Sequence, residues 1–202
     1  MLLRHGQTAW NAERRFQGQL DPPLDEVGVA QAAVAGPMVA ALGPALLLTS
    51  DLQRAVSTAV PLEAAAGQGA RVDVRLREIA LGAWQGLTRP EAAERFPAEH
   101  EAWTRGLDVR RGGGETYVEV AERALACLDE AMDEAGEGLV VAVTHGGTSR
   151  AVVGRLLALP PERWSALGPL GNCRLTRLRL GEAGGWRLVE HNSGAPELRG
   201  DG

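Results

Sequence analysis

Two of the four histidines lie in similar sequence contexts, and both could deliver a side chain to a reaction site. His5 stands in the run LRHG and His145 in the run VTHGG. Each follows apolar residues and precedes a glycine, which predicts the end of a strand. Because open α/β sheets bind ligands at the carboxyl ends of their strands, we expect both rings at one edge. With Arg4 beside His5, this pattern predicts chemistry on an anionic group.

Further polar residues follow the other predicted strands. Asn11 comes a turn after the first strand, and Arg54 lies in the first turn of the helix after the second. Glu78 follows the third strand, and Gly146 opens a helix after the strand that leads to His145. Arginines, an amide and helix-start N–H groups suit phosphoryl transfer, because its catalysis is mostly positioning and electrostatic stabilisation. The set therefore predicts a phosphate site.

A histidine can be the nucleophile of such a reaction. A neutral imidazole approaches a phosphate dianion without charge repulsion, and the resulting phosphoramidate is labile enough for water to complete the cycle. An acid must protonate the leaving alkoxide, which is typically worth about 10²–10⁴ in rate. Glu78 is the acid that its position favours, and Asp51, Asp73 and Glu115 are the alternatives.

The basic residues argue against several other chemistries. All 21 are arginine, and the chain has no lysine. The missing lysine excludes P-loop nucleotide chemistry, the kinase strand lysine and any Schiff-base mechanism. Two histidines with nearby carboxylates could bind zinc or iron. The adjacent arginines disfavour a cation there, so we expect no metal.

Length and composition set the broad class. A chain of 202 residues fits one domain, which we place over residues 1–202. A net charge of −5 and a pI near 5.5 argue against a nucleic-acid partner. Cys127 and Cys173 lie in apolar segments and are predicted to be core residues, which favours a reducing compartment. With no secretory signal and no membrane-length apolar run, we expect a cytoplasmic protein that binds no membrane.

Strand and helix patterns alternate along the chain. Strands are predicted at 2–3, 46–49, 72–76, 139–143, 175–180 and 186–190. Helices are predicted at 26–42, 50–66, 115–135 and 147–157, with another opening at Pro160-Pro161. Ser50 and Gln53 match a capping box for the second helix. This alternation predicts a mostly parallel sheet covered on both faces.

Residues 86–114 are predicted to form an irregular, polar cap. The first strand is short, so a start upstream of Met1 stays open.

The runs around these residues resemble the signature of the histidine phosphatase superfamily, also called the phosphoglycerate mutase-like family. The similar runs occur in the family's order over nearly the whole chain: LRHGQTAWN, FQG with DPPL, SDLQRA with TA, Glu78 with GAWQG, GGE and THGG. The resemblance implies a three-layer α/β/α sandwich with a mostly parallel central sheet. It also implies a phosphohistidine mechanism that needs no metal and no cofactor.

The resemblance also implies roles for individual residues. By position, His5 would be the nucleophile and Glu78 the proton donor, while Arg4, Arg54 and His145 would hold the phosphate. The residues expected to line the substrate pocket are Gln7, Asn11, Gln17, Gly18 and Gly146.

Three activities are compatible with this site. A phosphatase acting on a small phosphorylated metabolite is favoured, because the chain lacks the lysine of the mutases it resembles and has a shorter cap region. A phosphoglycerate mutase is the alternative, in which Arg110 and Arg111 would engage a second anionic group; we expect these two arginines instead to form a solvated pair beside a glycine turn. The third is a phosphate-binding regulator without catalysis. The substrate is not identified, and a homodimer is left open.

Overall fold

The computed structural model describes residues 1–182 and 184–194 and has a six-stranded sheet at its centre. The strands are β1 (Leu2–Arg4), β2 (Pro44–Thr49), β3 (Arg71–Val72), β4 (Leu139–Thr144), β5 (Leu175–Leu180) and β6 (Trp186–Ser193). The α-helices are α1 (Ala9–Ala12), α2 (Glu26–Ala40), α3 (Gln53–Ala66), α4 (Arg89–Arg95), α5 (Pro97–Thr104), α6 (Tyr117–Ala135) and α7 (Gly146–Leu156). Short 3₁₀ turns occupy Val74–Leu76, Gly82–Trp84, Arg111–Gly113 and Pro161–Ala166.

The strand order is β3-β2-β4-β1-β5-β6, and it is parallel from β3 to β1. The last two strands are antiparallel, as β5 is to β1. β1 lies beside β4, with Leu3 opposite Val143 and Arg4 opposite Thr144. The mostly parallel sheet is therefore confirmed. This pairing also brings the ends of β1 and β4 to the same edge.

Two hydrophobic cores lie on opposite faces of the sheet. One contains Leu2 and Ala142 with residues of α6 and α7. The other contains Leu3 and Val143 with residues of α2 and α3. Successive strand residues point to opposite faces, so the continuous apolar runs of β1 and β4 supply both cores. This arrangement confirms the predicted three-layer sandwich.

Two predicted elements differ in extent. The predicted strand at 72–76 is wrong beyond Val72, because the Asp73 carboxylate accepts from the Arg75 amide at 2.8 Å and starts a 3₁₀ turn. The predicted helix at 50–66 begins at Gln53 without the capping box. Its first amide donates instead to Asp21 Oδ1 at 2.8 Å, in a distant loop. Ser50 Oγ accepts from the amide of Leu52.

The prediction that residues 86–114 are irregular is wrong, because they contain α4 and α5. Thr88 caps α4 in a capping box with Glu91, a signal present in the sequence. The segment packs on an aromatic cluster in which Trp84 lies 5.8 Å from Trp103 and 5.2 Å from Phe16, between ring centroids. Among the described residues, no helix is long and apolar enough to cross a membrane.

Candidate active site

His5 and His145 meet at the carboxyl edge of the sheet. His5 directly follows β1 and His145 directly follows β4. Their ring centroids are 5.2 Å apart with the planes tilted by 58°. Both residues are buried, with 2% and 0% of their surface exposed. The sequence prediction that the two rings share one edge is therefore met by the structure.

The hydrogen bond of His5 determines which of its nitrogens could attack. His5 Nδ1 lies 2.7 Å from the carbonyl oxygen of Gly6. Because a carbonyl can only accept, Nδ1 carries the proton, which leaves the lone pair of a neutral ring on Nε2. Burial, together with the charges of Arg4 and Arg54, holds the pKa of His5 well below 6.5. The ring is thus neutral near pH 7, as a nucleophile must be.

Arg54 is completely buried at the start of α3 and is held by backbone carbonyls. Nη1 donates to Leu20 at 2.7 Å and Nη2 to Gly18 at 2.8 Å. Gly18 has a φ of +54°, and a Cβ there would lie 2.3 Å from the Gln85 side chain. Burial lowers the pKa of Arg54 to about 10, so the guanidinium stays charged. Gly18 therefore shapes the loop that orients this cation.

Several buried nitrogens beside His5 have no protein partner. Arg4 donates through Nη1 to the carbonyl of Leu170, but its Nε donates to no atom of the described residues. Arg54 Nε and both ring nitrogens of His145 are likewise unpaired within residues 1–182 and 184–194. Buried polar groups in native proteins almost always have partners. Two cations and an imidazole with unused nitrogens thus form a site suited to an anion.

His145 is buried in the field of the same cations. Burial first, then the charges of Arg54 and Arg4 together with coupling to the His5 ring, lowers the pKa of His145 well below 6.5. The ring is therefore neutral near pH 7 and offers one N–H donor. His145 also precedes the first residue of α7, and the N-terminus of a helix favours negative charge.

These depressed pKa values predict how stability depends on pH. A histidine that stays neutral in the folded protein is protonated on unfolding below about pH 6.5, so its stabilising contribution is present above that pH and lost as pH falls. When the pH is lowered from 7.5 to 5.5, the free energy of unfolding should fall by about 1.4 kcal/mol less in the His145→Asn variant than in the parent protein. Urea denaturation at both pH values measures this. His191→Gln, at a half-buried histidine on β6, is the control, and identical losses in parent and His145→Asn would contradict the prediction.

Glu78 lies against the first turn of α7. Its Oε2 accepts from the amide of Gly147 at 3.0 Å, and its Oε1 accepts from the amide and hydroxyl of Thr148 at 3.0 and 3.3 Å. A Cβ on Gly147 would lie 2.5 Å from Oε1, so the second glycine of the HGG run makes room for the carboxyl group. The sequence prediction used neither Gly147 nor Thr148 for this purpose.

The three alternative acids are held by arginines. The hydrogen bond with Arg77 lowers the pKa of Asp51, and that with Arg75 lowers the pKa of Asp73 to about 2. Glu115 forms a two-bond ion pair with Arg123. Glu78, in contrast, is bound by backbone N–H groups and a hydroxyl of α7. Of the four carboxyl groups, Glu78 is the one that lies on the first turn of α7, directly after His145, and this position favours it as the acid.

Asn11 is oriented by a residue that the sequence prediction missed. Asn11 Oδ1 accepts from the Thr8 amide at 3.1 Å and from Asn172 Nδ2 at 3.2 Å. Asn172 Nδ2 also donates to the carbonyl of His5 at 3.0 Å. Because the oxygen of Asn11 accepts these hydrogen bonds, its NH₂ group is the part of the side chain that is left to donate to another group. Asn172 precedes β5 in a loop, where no local pattern marks it.

The remaining predicted pocket residues are placed differently. Gln7 donates through its side chain to Asp25 Oδ2 at 3.0 Å and so braces the start of α2. Gln17 is buried, and its Oε1 has no partner among the described residues. Gly146 is the first residue of α7, and a Cβ there would lie 3.5 Å from Arg4 Nε. Gly146 therefore borders the anion site, Gln17 has a buried oxygen without a partner among the described residues, and Gln7 serves the fold.

A profile of the histidine phosphatase superfamily (branch 1) matches residues 1–194. The chain belongs to this superfamily. Glucosyl-3-phosphoglycerate phosphatase from Mycobacterium tuberculosis is 40% identical over 210 aligned positions, which cover 96% of this chain and 94% of that protein. A probable phosphoglycerate mutase from Yersinia enterocolitica is 36% identical and covers 92% and 88%.

A solved structure agrees with these matches. The mycobacterial glucosyl-3-phosphoglycerate phosphatase complexed with VO₃ superposes with a TM-score of 0.89 and 41% identity, covering 96% of this chain and 98% of that one. The predicted superfamily, fold and enzyme class, a phosphomonoester hydrolase, are therefore confirmed.

In this histidine phosphatase, the Arg110-Arg111 pair divides into two environments. Arg110 is exposed and pairs with Glu119. Arg111 is buried between the rings of Trp103 and Tyr117, with its guanidinium carbon 5.6 and 4.8 Å from their centroids. The expectation of a solvated pair is wrong for Arg111.

Residues 1–182 and 184–194 contain no group of three or more His, Cys, Asp or Glu that could hold a metal ion.

Proposed function

We propose that this chain hydrolyses a small phosphomonoester with His5 as the nucleophile. One observation carries the proposal: the unpaired nitrogens of Arg4, Arg54 and His145 lie buried beside a neutral His5. Two permanent cations in a buried site bind the charge of a phosphoryl group far better than they would in water. The free Nε2 of His5 would then face the phosphorus.

The mechanism has two steps that return every group to its starting state. His5 Nε2 attacks phosphorus and the P–O bond to the alcohol breaks, while the Glu78 carboxyl gives its proton to the leaving oxygen. The products are the alcohol, phosphohistidine and the Glu78 carboxylate. Water then attacks the phosphohistidine and gives its proton to Glu78, and the P–N bond breaks. Inorganic phosphate leaves, and neutral His5 and protonated Glu78 are restored.

We further propose a substrate class. The relatives named glucosyl-3-phosphoglycerate phosphatase suggest a phosphorylated glycerate that carries a sugar, or a similar phosphate ester. Asn11 would donate to the substrate, and Gln17 and Gly146 would line the pocket. Residues 86–114, which pack as α4 and α5 beside Trp84, would form its cap.

Assays on defined phosphate esters test the activity. We expect release of phosphate from p-nitrophenyl phosphate and faster release from glucosyl-3-phosphoglycerate. We expect no interconversion of 3-phosphoglycerate, with or without added 2,3-bisphosphoglycerate. Prompt interconversion with negligible hydrolysis would establish the mutase alternative. Absence of turnover of any ester would favour the non-catalytic regulator.

We also propose a cytoplasmic location, which the two buried free thiols, Cys127 and Cys173, support because a reducing compartment preserves them. The homodimer stays a prediction that size-exclusion chromatography with light scattering would test.

A further inference from the structure

The sheet itself does not position Glu78. β3 has only two residues, paired with β2 at Leu48 and Thr49, and it ends at Val72. The chain then passes through a 3₁₀ turn before it reaches Glu78. The carboxyl group of Glu78 nevertheless lies on the first turn of α7. Something other than strand pairing must hold this backbone.

Arg123, on α6, donates to three carbonyl groups of that backbone. Nη1 donates to Arg75 at 2.6 Å and to Arg77 at 2.8 Å, and Nη2 donates to Glu78 at 3.1 Å. The other two N–H groups donate to Glu115, from Nε at 2.8 Å and from Nη2 at 2.9 Å. All five donors of the guanidinium are therefore used, and three of them end on the segment that carries Glu78.

Glu115 completes the contact on the far side of Glu78. Its Oε2 accepts from the amide of Ala80 at 2.8 Å, and its own amide donates to the Ala80 carbonyl at 2.9 Å. A Cβ on the preceding Gly114 would lie 2.0 Å from that carbonyl, so only glycine allows this approach. Arg123 and Glu115 thus fix the backbone before, at and after the proposed acid.

We propose that Arg123, with Glu115 as its partner, is a positioning residue for Glu78. It does not touch the substrate; it holds the backbone from which the carboxyl group reaches α7 and the leaving oxygen. This inference rests on the proposed function, in which Glu78 protonates that oxygen. A misplacement of about 1 Å can cost on the order of 100-fold in rate.

The test compares two leaving groups in the Arg123→Met variant. We expect a roughly 10- to 100-fold lower kcat for an alkyl phosphate, because its alkoxide needs the proton. We expect little change with p-nitrophenyl phosphate, whose leaving group needs almost none. Arg75→Met is the matched control, because Arg75 lies on the same segment but its side chain pairs with Asp73 and Glu130. It should leave the ratio of the two rates unchanged.

A double-mutant cycle separates positioning from a merely structural role. In a Glu78→Gln background, Arg123→Met should cost almost nothing further, because the group it positions is gone. Equal losses on both substrates, or full additivity with Glu78→Gln, would overturn the proposal. Arg123→Lys and Glu115→Gln keep part of the contact and should shift the ratio less, which preserves the test if Arg123→Met does not fold. A parent enzyme that forms no phosphohistidine would instead refute the proposed function.

Discussion

The His5→Ala variant is expected to lose phosphatase activity by about 10⁴-fold or more and to form no phosphoenzyme. The reason is that the contact with Gly6 holds the proton of His5 on Nδ1 and leaves the Nε2 lone pair free beside Arg4 and Arg54, whereas no contact among the described residues fixes the proton of His145. The fold should persist, because the ring makes one hydrogen bond, to its neighbour Gly6, and truncation removes an imidazole that is costly to bury. Acid-quench trapping of labelled enzyme measures the intermediate, and circular dichroism measures the fold.

His145→Ala is the informative comparison for this prediction. It removes the other imidazole of the pair, so slow turnover and some labelled phosphoenzyme should remain. His191→Gln, on β6, should behave as the parent enzyme. Labelled phosphoenzyme in His5→Ala, lost only in His145→Ala, would transfer the nucleophilic role to His145.

Glu78→Gln is expected to lower turnover of an alkyl phosphate by about 10²–10⁴-fold. Glutamine has nearly the same shape, and its oxygen can still accept from Thr148, but it has no carboxyl proton to transfer. Hydrolysis of p-nitrophenyl phosphate should fall much less, because p-nitrophenolate leaves without protonation. Steady-state kinetics on both esters give the ratio.

Asp51→Asn is a suitable control for the Glu78 prediction. It neutralises a neighbouring carboxylate, which pairs with Arg77, and it should lower both activities by similar, small factors. If Glu78→Gln reduced both substrates equally, Glu78 would not be the acid. If Asp51→Asn showed the selective loss instead, Asp51 would take that role.

The sequence predicts the parts of the fold that repeat a regular pattern. β4 and α6 follow from an apolar run and from helical spacing, and both lie within a few residues of their predicted bounds. The predicted strand at 72–76 is too long, because Val72, Val74 and Leu76 alternate as in a strand although Val74–Leu76 form a 3₁₀ turn. The Asp73 side chain decides between the two, and alternation carries no information about it.

The residues of the candidate site also fall into those that the sequence predicts and those that it does not. His5, His145 and Arg54 were predictable because each directly follows a strand or opens a helix, where position alone brings them together. Asn172 and Arg123 were missed, because each acts through contacts with residues far away in the chain. Such residues carry no signature in their own neighbourhood, and only the folded structure relates them to the reaction.

The central position of β1 has a consequence for biosynthesis. β1 is near the start of the chain, yet it pairs only with β4 and β5 among the described strands. During synthesis the strand that leads to His5 therefore stays unpaired and apolar until β4 has left the ribosome, and it gains its second neighbour only when β5 follows. Contacts of such long sequence separation are slow to form. The candidate site is thus assembled late in folding, and a chain that stops before β5 presents His5 at the end of a strand with a single neighbour.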